Sequence, residues 1–123
     1  MVPKIPLPYE GGNVGNNLTG SRGGCISVDK TIERYISVNK INKPAQIINI
    51  PDKNKGDGCQ AMQYIYASNQ NHTTVILVKI TGGGHTLPGR AQYLPKLIIG
   101  NVCRDFEANE MIWQFFKECL PRE

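Results

Sequence analysis

Apolar positions fall into helical spacing near residue 30, into strand-like runs between residues 45 and 81, and back into helical spacing after residue 105. Val28, Ile32, Tyr35 and Ile36 follow the 3.6-residue period, which predicts a helix over about Val28 to Val38. Ser27 is its expected N-cap, Asp29 and Glu33 lie near its positive end, and Asn39 to Pro44 ends it. Ala45 to Ile50 is short and β-prone, and Pro51 stops it. The polar run Pro51 to Gly58 reads as an exposed connection, Cys59 to Ala67 as a second strand, and Ser68 to Asn71 as a turn. In Thr73 to Thr81, the run Val75-Ile76-Leu77-Val78 predicts a strand covered on both faces, as in a mostly parallel sheet under helices. Gly82-Gly83-Gly84 breaks that strand, and a long loop follows through Cys103. Asp105 is expected to cap a final helix over about Phe106 to Cys119, whose stripe of Ala108, Ile112, Phe115, Phe116 and Cys119 packs on the sheet. Trp113, Phe115 and Phe116 read as core. Residues 1–24, rich in Gly, Pro and Asn, read as loop with a turn at Pro8-Tyr9-Glu10-Gly11-Gly12.

A length of 123 residues suits one compact domain, and 40% hydrophobic with 20% charged residues is a globular composition. The net charge of +4 comes largely from scattered lysines such as Lys30, Lys40, Lys53, Lys55 and Lys79, with no basic block interleaved with aromatics. That pattern describes a solvated surface rather than a nucleic-acid groove. No stretch approaches the ~18 apolar residues of a membrane span, and Met1 to Gly12 lacks the apolar segment of a signal peptide. The cysteines, Cys25, Cys59, Cys103 and Cys119, form no C-x-x-C pair, and the histidines are only His72 and His85. A zinc site is therefore not expected. One or two disulfides with any of three pairings, or buried thiols packing as small hydrophobes, both remain open.

The densest chemical signal is Gly82-Gly83-Gly84-His85-Thr86-Leu87-Pro88-Gly89, directly after the apolar strand. Glycines let the chain turn steeply, and an imidazole displayed there titrates near neutral pH and serves as a general base. A loop histidine that only hydrogen-bonds to backbone is the competing reading. Other near-motifs fail on their partners. Gly84-x4-Gly89-Arg90-Ala91 lacks the Lys-Ser/Thr of a phosphate loop, and Ser27-x-x-Lys30 has no following K-T-G. Cys25 precedes a helix N-terminus, but no apolar strand leads into it, so it reads as a disulfide partner or an inert thiol.

GGGHTLPG, Gln92-Tyr93-Leu94-Pro95, Ile99-Gly100, Arg104-Asp105 and the segment Asn109 to Lys117 resemble, in that order, the polyhydroxybutyrate-depolymerase-like and feruloyl-esterase-like α/β-hydrolases. Pro8 to Gly12 is similar to the family's segment just after the triad aspartate, and Ser27-Val28 with Thr31-Ile32 to the start of the following helix. The resemblance implies the C-terminal part of an α/β-hydrolase fold, with about three strands and two main helices, as one partial domain over residues 1–123. It makes His85 the triad base and puts Thr86 and Leu87 at the substrate site. The nucleophile would sit in a G-x-S-x-G elbow, which this chain does not contain, and no Asp or Glu occurs between Met1 and Tyr9 to act as the acid. The expectation is a C-terminal fragment of a secreted or periplasmic serine carboxylic-ester hydrolase, inactive alone and partnered by the missing N-terminal half. Its substrates would be feruloyl or acetyl esters on plant polysaccharide, or a polyhydroxyalkanoate, with no cofactor. Leu87 replaces the family's usual tryptophan, and Arg90 a common second glycine. A non-catalytic binding or structural domain derived from that fold is the alternative.

Overall fold

The computed structural model of the chain describes residues 8–16, 20–68 and 73–119. A hairpin of β1 (Gly12–Asn16) and β2 (Gly20–Cys25) leads into α1 (Val28–Val38). Strands β3 (Gln46–Ile50), β4 (Gln60–Ala67) and β5 (Thr73–Thr81) follow, then the single turn α2 (Lys96–Ile99) and the helix α3 (Ala108–Cys119).

The larger sheet has the order β3-β4-β5, and both of its pairings are antiparallel. This overturns the expected parallel sheet, and with it the reading as the C-terminal part of an α/β-hydrolase fold. Among the described residues the chain forms a small mixed α/β domain with two antiparallel sheets, of two and three strands, and three helices. The reason is the length of the connections. Residues 51–59 and 68–72 are long enough to reverse the chain, but a parallel crossover needs a dozen or more residues, usually a helix. The apolar run in β5 reported coverage of the strand and carried no information on its direction.

Coverage on both faces is what β5 has. Ile76, Val78 and Ile80 point toward α3, and together with Met111, Ile112 and Phe115 they line a groove of about 380 Å³. The alternate residues, Val75, Leu77 and Lys79, point the other way. On that side Lys79 Nζ lies 4.7 Å from the centre of the Tyr9 ring. The Tyr9 carbonyl accepts the Val28 amide at the start of α1 at 2.9 Å, so α1 covers this face. In register, Ile80 stands opposite Ala61, and Ala61 opposite Ile50. That row continues into the small core of Cys59, Ala61 and Cys103, against which Ile50, Ile80 and Phe106 pack.

The start of α1 matches its sequence signal: the Ser27 side chain accepts the Lys30 amide at 3.2 Å. Two other expectations are corrected. The glycine- and asparagine-rich opening forms the hairpin β1–β2 rather than loop alone; with Val14 and Cys25 the sole apolar residues of its two strands, no alternation marks them. Asp105 does not cap α3. The helix begins at Ala108, whose amide donates to the Pro88 carbonyl at 3.2 Å, while the Asp105 carboxylate turns inward to the Lys53 amide at 2.9 Å. Nor are Trp113 and Phe116 core: they are 63% and 56% exposed, because the groove between α3 and β5 is open. Most of the expected turn over Ser68 to Asn71, and His72, lie outside the described residues.

Candidate active site

His85 lies just past the end of β5, exposed, in a loop whose backbone is fastened to the segment running from Ile99 to Cys103. The Gly84 amide donates to the Asn101 carbonyl at 2.8 Å, the His85 amide to the Ile99 carbonyl at 2.6 Å, and the Gly89 amide to the Cys103 carbonyl at 2.9 Å. The Thr86 hydroxyl donates to the Asn101 carbonyl at 3.0 Å, and the Tyr93 hydroxyl to the His85 carbonyl at 3.0 Å. The close approach depends on glycine. A Cβ on Gly84 would run into the Ile99 carbonyl oxygen and stand 2.5 Å from Gly100 Cα. Gly100 in turn has φ of 81°, in the left-handed region that L side chains avoid.

The imidazole itself hydrogen-bonds to no other described residue, so the loop is built around the His85 backbone and its ring is left to solvent. Leu87 is 44% exposed beside it, whereas Thr86 is half-buried with its hydroxyl engaged. Arg90, at the position where the resembled family often has glycine, places Nε 3.8 Å from Glu107 Oε2 just before α3. Asp105 is fully buried beneath this loop system and its carboxylate is engaged, so it does not serve as an acid for His85.

Beneath the loop the fold brings together groups that the sequence left far apart. Cys59, Cys103 and Asp57 are buried, with their sulfur and oxygen atoms within 4.8 Å of one another. One Asp57 oxygen accepts the Cys59 amide at 2.8 Å and the other the Arg104 amide at 2.9 Å. The run Pro51 to Gly58, expected to be wholly exposed, thus carries an anchor at Asp57. An aspartate two residues before a buried strand start was the available signal, since Asp side chains take the amide two residues on. Cys25 is half-buried in β2 and Cys119 exposed on α3.

The Cys59 and Arg104 amides favour ionised Asp57 and hold its carboxyl below the ordinary 3.8. The folded value lies below the unfolded one, so the stabilisation is complete above about pH 4 and is lost as pH falls through 3.8 toward the depressed value. Urea midpoints measured at descending pH are expected to drop across that window. In Asp57→Asn the neutral-pH midpoint should already be lower and the acid-dependent drop smaller. Equal acid slopes in the two proteins would show that the carboxylate does not make these bonds.

Comparison with family models, curated proteins and solved structures gave no match to this chain.

Proposed function

We propose that this chain supplies the general-base histidine of a serine carboxylic-ester hydrolase, with the serine and the acid contributed from outside these 123 residues. The observation that carries the reading is the His85 loop. Its backbone is held rigidly by Ile99, Asn101, Cys103 and Tyr93, while its imidazole stays exposed with no described partner. A base that takes a serine proton needs one ring nitrogen toward the serine and the other toward an orienting carboxylate. Both nitrogens of His85 are open to such partners. The order GGGHTLPG, then Arg104-Asp105, then the helix with Ile112-Trp113 and Phe115-Phe116 supports the same reading by its likeness to feruloyl-esterase-like and polyhydroxybutyrate-depolymerase-like enzymes.

The exposed Trp113 and Phe116 and the open groove beside α3 are apolar surface of the kind that a partner covers. The serine-bearing segment is the partner that this reading requires. Leu87, exposed next to His85, would then contact the acyl or alcohol part of the ester. The chemistry is acyl transfer: serine attacks the carbonyl while His85 accepts its proton, the histidine returns that proton to the leaving alcohol, and water repeats the sequence on the acyl-enzyme. This path runs without a metal or organic cofactor.

Two observations test the proposal. The 123-residue chain alone should show no turnover of p-nitrophenyl acetate or methyl ferulate above a His85→Ala control. The reading frame upstream of Met1 should encode G-x-S-x-G and then an aspartate close before Pro8. Turnover by the isolated chain, or an upstream region without those residues, would reject it in favour of a binding or structural role.

A further inference from the structure

We infer that Cys59 and Cys103 are a disulfide-forming pair that staples the start of β4 to the segment carrying the His85 loop. Any of three pairings was open from the sequence, and the fold selects one. Both residues are almost fully buried in one small core, at 2% and 1% exposure, with their sulfurs within 4.8 Å. Forming the bond closes that gap to the ~2.05 Å of an S–S bond. Cys25 and Cys119 are not part of that cluster.

The setting explains how the pair behaves before it is joined. The Cys59 thiol donates toward the Gly82 carbonyl at 3.4 Å and the Asp57 carbonyl at 3.7 Å, and the Cys103 thiol toward Asp105 Oδ2 at 3.7 Å. Burial foremost, with the negative charge of Asp57 added, pushes the Cys59 thiol up to about 11. Burial likewise raises Cys103. Once folded, the thiols are neutral and out of contact with solvent, so exchange is slow, and the bond forms while the chain is still folding. The balance is Cys59–SH plus Cys103–SH plus an external disulfide R–S–S–R, giving Cys59–S–S–Cys103 plus two R–SH. One thiolate attacks the external disulfide, and the second displaces R–S⁻ from the mixed disulfide. The two cysteines are oxidised and the external disulfide is reduced.

A divalent cation is the rival occupant. Among the described residues three donors converge, and both oxygens of the one carboxylate in that set already accept backbone amides. A closed structural zinc site takes four protein donors, so the arrangement fits a cross-link better than an ion. The inference stands apart from the esterase reading, since it uses none of the His85 chemistry.

The test is a non-reduced peptide map of the 123-residue chain refolded in a glutathione/glutathione-disulfide buffer. A peptide joining Cys59 to Cys103, lost on adding a phosphine reductant, is expected. Reduction should also lower the melting temperature by on the order of 10 °C. The Cys25→Ser/Cys119→Ser protein should keep that reductant-dependent shift, and Cys59→Ser/Cys103→Ser should lose it. If the last protein does not fold, the peptide map of the unaltered chain still decides. Full alkylation of both buried cysteines without reductant, a link from either to Cys25 or Cys119, or one zinc per chain retained through dialysis would overturn the inference.

Discussion

Replacing His85 by alanine in the protein that also carries the serine is expected to lower kcat by about 10⁴-fold or more. The melting temperature should stay where it is. Both halves of that expectation come from the way the loop is held. Among the described residues, every hydrogen bond that shapes it is made by the His85 backbone or by its neighbours and none by the imidazole, so alanine removes the proposed base and leaves its mount. KM should change little, because no part of the ester need contact the imidazole in the ground state. Steady-state kinetics on methyl ferulate or p-nitrophenyl acetate, alongside a thermal melt, check the two halves together. A variant that retains activity would make His85 a loop histidine. A variant that loses both activity and stability would give it a structural role.

Gly82→Ala is expected to be strongly damaging, costing roughly 3 kcal/mol or more. Two effects add at this residue. Its φ of 79° lies in the left-handed region, and a Cβ there would collide with the Gly58 carbonyl oxygen and come within 3.1 Å of the Gly58 carbonyl carbon. Those atoms belong to the strand entry at Cys59 and are not the movable end of a side chain. Gly23→Ala is the control. It shares the unfavourable backbone angle, at 101°, but has nothing within 4 Å, so it should cost only about 1 kcal/mol. Urea denaturation of the two variants separates collision from backbone preference. Equal losses would show that the tight contact at Gly58 does not exist in solution.

The sequence was legible where a local rule decides the outcome. The Ser27 cap and the 3.6-residue stripe set α1, and Pro51 and the triple glycine mark where strands stop. The positions of β3, β4 and β5 were likewise readable from apolar runs between turn residues. Strand direction was not legible in the continuous run of β5, which marks coverage alone; the short connections on either side of β4 require reversal. The hairpin β1–β2 was invisible because no apolar alternation marks its strands. At the candidate site, His85 stood out through its glycines. Its supports did not, since Ile99, Asn101 and Cys103 offer carbonyl oxygens that any residue could supply. The convergence of Cys59 with Cys103, and the role of Asp105 beside them, are products of long-range packing that no spacing in the chain encodes.

The pairing order of the larger sheet also sets a sequence of events in time. Strands β3, β4 and β5 each pair with their neighbour along the chain, so the sheet closes only short loops and can assemble early. The His85 loop takes its shape only when the Ile99–Cys103 stretch arrives from further along the chain and accepts its amides. A chain synthesised only as far as β5 therefore holds every strand of the meander and none of the carbonyls that shape the histidine loop.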